Sequence, residues 1–439
     1  MRWPAVLLLG LFTACDGAAS TQPPAPASAP VVAADPEVHE PQSLGGARAE
    51  ASPPSKPLTE DERAVALAKS MIVLDGHIDV PWRLEKSSEG GALTEDVGAA
   101  TESGDFDLPR ARAGGLDAPF MSIYVSPDYE MKGADAVAET LIASVEGIVA
   151  AHPEDFALAP TVQSVRDNFA AGKISLPMGL ENGAPLMGKL ENVAHFHDRG
   201  IRYITLAHSK DNHISDSSYD TRHTHRGLSK FGEKVVAEMN RVGIMVDVSH
   251  ISDDAFWDVM KVSKVPVIAS HSSCRHFTPG WERNMSDPMI QALAEHGGVI
   301  QINFGSGFLD GDVRKGRTKH EAELKAHLKA KKLDPESEAG RAEARAWEAE
   351  HPAPRATVAK VADHIMHVID LVGVEHVGLG SDFDGLGDSL PEGLRSVADY
   401  PNLFAELLRR GVSEEDLEKI ASGNVLRVWS EAEAFAAAH

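Results

Sequence analysis

Residues 71–80 read Met71-Ile72-Val73-Leu74-Asp75-Gly76-His77-Ile78-Asp79-Val80. A short apolar run of this kind fits a β-strand buried on both faces. Its end is unusual, because two metal-capable side chains stand two residues apart. Side chains at i and i+2 of a strand point to the same side. His77 and Asp79 therefore share a face and can hold one metal ion between them.

Working outward, seven more short apolar runs follow: Phe120–Val125, Ser175–Asn182, Tyr203–Ser209, Gly243–His250, Val265–Ser272, Gly297–Phe304 and His376–Phe383. Helical patterns such as Phe231–Arg241 and Asp253–Lys261 lie between them. Apolar strands alternating with helices predict an α/β fold with a covered parallel sheet. Eight such units predict a (β/α)8 TIM barrel. The stretch 310–354, between the seventh and eighth runs, is crowded with Lys, Glu, Arg and Ala and reads as a charged, solvated helical insert.

Barrel active sites lie where the strands end. The third run ends at Glu181, the fourth reaches His208, the fifth ends at His250, the sixth reaches His271 and the eighth carries Asp382. His250 and His271 close adjacent strands and can share a second ion, with Glu181 bridging the two. Nitrogen and oxygen donors suit zinc, with cobalt or manganese as alternatives. Any one of these residues reads more simply as a hydrogen-bonded strand end. Their recurrence at successive strand ends carries the metal reading, because unpaired carboxylates and imidazoles are costly to bury. His195 and His197 fall in a helical segment, where i and i+2 do not share a face. His223 and His225 fall in a polar loop, and His276 is left unassigned. No G-x-S-x-G elbow or phosphate-binding loop is present.

The composition bounds the rest. A length of 439 residues with 43% hydrophobic residues allows a large core. The net charge of -24 argues against a nucleic-acid partner, which needs a basic surface. Arg2, the apolar stretch from Ala5 to Phe12 and Thr13-Ala14-Cys15 describe a secretory signal over residues 1–15. A cysteine after two small residues resembles a bacterial lipobox. That implies a lipid on Cys15 and an exported protein, anchored to a bacterial cell membrane by lipid alone and facing the periplasm or exterior. Residues 16–57, rich in Ala, Pro and Ser, read as a disordered tether. The folded domain then spans 58–439, opening at Thr59-Glu60-Asp61-Glu62, which resembles a helix start. With Cys15 lipidated, Cys274 has no intrachain partner.

Seven segments together resemble the membrane (renal) dipeptidases, a family of zinc metallopeptidases. They are Asp75–Asp79, Gly179–Gly183, Arg202–His208, Gly227–Gly232, Val246–His250, Ala269–Ser273 and Gly380–Gly385, in the family's order from the first strand to the eighth. The resemblance implies a TIM barrel with two Zn2+ per subunit, His77 and Asp79 on one ion, His250 and His271 on the other, and Glu181 on both. It implies that His208 contacts substrate near the scissile carbonyl, that Asp382 handles protons and that Arg283 binds the substrate carboxylate. The residues before Arg283, Pro279-Gly280-Trp281, depart from the family's pattern. The expected substrate is a dipeptide with a free C-terminal carboxylate, L,D-dipeptides included, and a homodimer is left open. The alternative is another two-metal amidohydrolase acting on N-acyl amino acids, lactams or lactones. Such enzymes often open with His-x-His, whereas this chain has His-x-Asp. A lipid-anchored binding protein that kept the barrel and lost turnover is disfavoured by the intact metal and proton-transfer residues.

Overall fold

The computed structural model describes residues 58–87 and 95–439. Cys15 and the 16–57 stretch lie outside the described residues. The chain enters at Thr59, whose hydroxyl accepts from the Glu62 amide while Glu62 caps in return, starting the helix Glu60–Ala68.

Ten strands follow: β1 (Val73–Ile78), β2 (Leu116–Tyr124), β3 (Phe156–Leu158), β4 (Ile174–Leu176), β5 (Met178–Glu181), β6 (Ile201–Thr205), β7 (Met245–Asp247), β8 (Ile268–Ser272), β9 (Val299–Ile302) and β10 (Val377–Leu379). Eight of them form one parallel sheet in the order β1-β2-β5-β6-β7-β8-β9-β10. Helices alternate with the strands, which is the (β/α)8 arrangement expected. The sheet closes on itself after β10. Asp382 donates its amide to His77 O at 3.0 Å, and Asp79 donates to Phe383 O at 2.9 Å. The buried Asp75 carboxylate clasps this seam, accepting from the Ser381 and His77 amides and from the Tyr400 hydroxyl.

The remaining pair, β3 and β4, makes a small parallel ribbon of its own. The sequence run Ser175–Asn182 was expected as one strand and is two. Pro177 divides it, leaving Ile174–Leu176 in the ribbon and Met178–Glu181 in the barrel. Proline has no N–H to give a ladder, so it sits between strands and not within one. The second barrel strand begins at Leu116 and not at Phe120, because Asp117 and Pro119 mask its apolar character. Between β9 and β10 the charged segment forms two helices, Gly311–Ala330 and Glu338–Glu350, joined by His327 and Lys331 on Glu343.

The N-terminal end of the barrel is apolar. Leu74, Phe120, Met245, Ile268 and Val299 pack with Val425, Val428 and Trp429 of the final helix, Asn424–Ala438. No helix among the described residues is long and apolar enough to cross a membrane.

Candidate metal centre and active site

The strands' C-terminal ends bring the predicted residues to one cleft of about 320 Å3, lined in part by Asp79, Glu181, His208, His250, His271 and Asp382. His77 is fully buried and does not line it. Glu181 is the hub, and its two oxygens face different partners. Oε2 is 3.4 Å from His77 Nε2. Oε1 is 3.2 Å from His250 Nε2 and 3.5 Å from both His271 Nε2 and His208 Nε2. His77 Nε2 is also 3.5 Å from Asp79 Oδ2. Asp382 lies close enough to join His77 and Asp79 around a common point.

Local folding fixes these side chains. His77 Nδ1 meets the Tyr203 hydroxyl at 2.8 Å, and Tyr203 fits only because residue 179 is glycine: a Cβ there would stand 1.9 Å from the ring. His271 Nδ1 meets Ser270 Oγ at 2.8 Å, and that hydroxyl donates to Asp247 Oδ2 at 2.6 Å. With Ser270 donating onward, His271 Nδ1 carries the proton and Nε2 presents its lone pair. Ser122 donates to Glu181 Oε2 at 3.2 Å, and Asn303 Nδ2 donates to Asp382 Oδ2 at 2.8 Å. Asn182, His250 and Asp382 adopt left-handed backbone at φ 78°, 68° and 63°. Such strained positions gather at functional sites. A Cβ on Gly385 would meet Asp79 Oδ2 at 2.2 Å and Asp382 Oδ1 at 2.4 Å, so glycine keeps that side of the cleft open.

The electrostatics are those of a cage for cations. Burial pushes the Asp382 carboxyl well above its usual range, and neighbouring Asp79 adds to it. Burial opposes ionisation of Glu181 too, but His77 and His208 outweigh it and hold its carboxyl well below the usual range. Burial, with Arg283 nearby, keeps His250 neutral; burial and the adjacent His77 do the same for His271. Neutral imidazoles have lone pairs to offer. His77 Nε2 is buried without a hydrogen-bond partner, while His250 Nε2 and His271 Nε2 converge to 2.7 Å. The residues present thus fit a metal centre with nitrogen and oxygen donors.

Arg283 stands behind this cleft and not in its lining. It is buried, donates to Ser272 Oγ and His271 O at 2.8 Å, and has Nη2 3.0 Å from His250 Nε2. His195 is outside, exposed on the helix Glu191–Asp198 and paired with Glu139, and His225 bonds to Asn212 O. Trp82, Tyr124, Tyr219, Phe308 and Leu386 complete the cleft's wall, and sequence reasoning missed them. It also missed Tyr203, Asn303 and the Ser270–Asp247 pair, although a carboxylate inside the apolar run at Asp247 was a visible signal.

Comparison with known proteins decides the family. A family model described as membrane dipeptidase (Peptidase family M19) matches residues 61–439. The chain belongs to the membrane dipeptidase family. It is similar to an uncharacterized dipeptidase of Schizosaccharomyces pombe, 31% identical over 388 residues that cover 85% of this chain and 84% of the relative. It resembles the crystal structure of the probable dipeptidase PvdM from Pseudomonas aeruginosa, with TM-score 0.72, 25% identity and coverage of 86% and 99%. It also resembles a metallopeptidase from Rhodobacter sphaeroides, solved with a phosphinate mimic of the dipeptide L-Ala-D-Ala, with TM-score 0.66, 26% identity and coverage of 82% and 99%. As a membrane dipeptidase the chain is a metal-dependent hydrolase of small peptides.

Proposed function

We propose that this membrane dipeptidase holds two zinc ions and hydrolyses dipeptides with a free C-terminal carboxylate, L,D-dipeptides included. The observation that carries the two-ion reading is the division of Glu181. One oxygen faces His77, the partner of Asp79, and the other faces His250 and His271. A carboxylate divided in this way would give one oxygen to each of two ions. The ions, when bound, supply Lewis acidity toward the amide carbonyl and make a nucleophilic water more acidic.

The chain's own groups do the rest. His208 projects from the loop after β6 with a side chain 21% exposed, where it can donate to the oxygen of the carbonyl under attack. Held ionised by the neighbouring cations when these are bound, Asp382 takes the proton from the attacking water and delivers it to the leaving amine; Asn303 fixes its Oδ2 for the task. Arg283 Nη2 and an ion compete for the same lone pair on His250 Nε2. With an ion held at His250, Arg283 would turn this donor toward the substrate's terminal carboxylate. The L,D reading rests on the bound dipeptide mimic in the similar metallopeptidase.

The experiment is metal removal. A chelator should abolish dipeptide hydrolysis, and two equivalents of zinc should restore it; full activity in verified metal-free protein would overturn the reading. Turnover of an L,D member of a dipeptide panel tests the stereochemical part. We also propose export and lipid anchoring at Cys15 through the 16–57 tether, which rests on the sequence alone. Cys15→Ala should move the protein from the membrane to the soluble fraction, and a variant that stays membrane-bound would sink this proposal.

A further inference from the structure

Among the described residues, one group of metal-capable side chains lies away from the cleft. His276 sits in the single 3-10 turn Arg275–Phe277 after β8. Asp287 opens the helix Asp287–Glu295, and His367 lies on the helix Val358–Val372. One ligand atom from each lies within 4.8 Å of the other two. His367 Nε2 is 2.9 Å from Asp287 Oδ1, and the His276 and His367 rings stack with centroids 4.5 Å apart and planes inclined by 28°. None of the three lines the catalytic cleft.

We propose that His276, Asp287 and His367 form a second, external site for a divalent ion of the zinc class, with a fourth position open to water. Three features support it. The donor set, two imidazoles and a carboxylate, is one that zinc binds well. The three ligands come from a turn and two helices, so an ion would tie together segments that no disulfide can join. His276 is exposed and the other two are half-buried, which gives an entry path from solvent. Donors around a tetrahedral zinc stand about 3.3–3.6 Å apart, given its bond lengths. Reaching that size asks the His276 ring to swing inward and the 2.9 Å Asp287–His367 pair to open by a few tenths of an ångström. The competing picture is an ordinary Asp287–His367 ion pair with His276 stacked on it, and that picture predicts no ion.

The two pictures separate in a metal count. Full-length protein is equilibrated with zinc, freed of excess and assayed by mass spectrometry of the metal, beside His276→Ala and Asp287→Asn. Asp287→Asn leaves an oxygen to accept from His367 and removes the charge. Each variant should carry one equivalent fewer than the unaltered protein, whatever number the cleft holds, and should keep dipeptidase activity. Zinc should also raise the unfolding temperature of the unaltered protein more than that of His276→Ala. Equal metal content in the unaltered protein and in His276→Ala, both folded by circular dichroism, would overturn the proposal. His276 is exposed, so its removal leaves the core intact; Asp287→Asn provides the second reading.

Discussion

At their N-terminal ends the barrel strands contribute Leu74, Phe120, Met245, Ile268 and Val299 to one apolar cluster with Trp429. Around the C-terminal ends of β1, β5, β7, β8 and β10 the same barrel presents His77, Asp79, Glu181, His250, His271 and Asp382 within a few residues. The two ends are a strand's length apart and have opposite energetics. Burial of Trp429 and its neighbours stabilises the fold directly, at roughly 25 cal/mol per Å2 of apolar surface removed from water. Burial of the acids and imidazoles costs free energy until cations and hydrogen bonds offset it. One end therefore maintains the barrel, and the other depends on the barrel to hold it together.

The largest effect expected is on activity alone. Glu181→Gln should reduce dipeptide hydrolysis to background and lower the metal content. The urea midpoint of the metal-free protein should fall only slightly, since the imidazoles that hold the Glu181 carboxyl ionised do little more than offset the cost of burying it. A large loss of stability would show that the upper end supports the fold too. Asp382→Asn should lower kcat by about 10^2–10^4-fold, the usual share of a general acid–base group, with metal content unchanged. Loss of metal in that variant would make Asp382 a ligand instead.

At the lower end the pattern should reverse. Trp429→Ala, which empties a fully buried site, should cost about 3–5 kcal/mol in denaturant unfolding. Its kcat/KM, measured where the protein is still folded, should match that of the unaltered protein. Tyr203 crosses the divide: its ring packs on Phe120 at 5.2 Å, and its hydroxyl holds His77. Tyr203→Phe should weaken metal binding by about 10–100-fold, as loss of a partner behind a ligand does. It should cost only about 1 kcal/mol of stability. An unchanged metal affinity would separate the two ends completely.

The smallest effect concerns Asp117 on β2, whose carboxyl burial raises from about 3.8 to about 7 while it accepts from the Val73 amide at 3.0 Å. The fold favours its protonated form. That contribution is fully present below pH 4, fades as pH rises toward 7 and is gone above it. Asp117→Asn should match the unaltered protein at low pH and exceed its stability at pH 8 by on the order of 1 kcal/mol, read from urea midpoints. Equal stability at pH 8 would show the carboxylate to be well solvated.

The barrel was legible because each strand is a short apolar run and the eight runs recur between helices. The convergence of acids and imidazoles on one cleft was legible for a related reason. They follow directly on those runs, so strand position alone brought His77, Glu181, His250 and His271 together. The groups behind them were not legible. Tyr203 reads as core, and its bond to His77 joins residues 126 apart. Asn303 and Asp382 meet across 79 residues. Contacts of this kind leave no spacing in a sequence. The β3–β4 ribbon was missed because three-residue strands carry too little pattern, and one of them was hidden in a longer run by Pro177. Arg283 was found from a motif, yet its place behind His250 depends on the fold of a loop.

The seam between the first and last strands has a consequence in time. His77 and Asp79 exchange backbone hydrogen bonds with residues about three hundred positions later. Closing so long a loop is slow, and contacts of high sequence separation form late. A chain that closes this seam last would hold His77 and Asp79 apart from Asp382 until then. Catalysis switches on only when the final strand docks. In pulsed hydrogen exchange during refolding, the Asp79 and Asp382 amides should gain protection together, after those of β5 to β7; early protection of either would contradict this order.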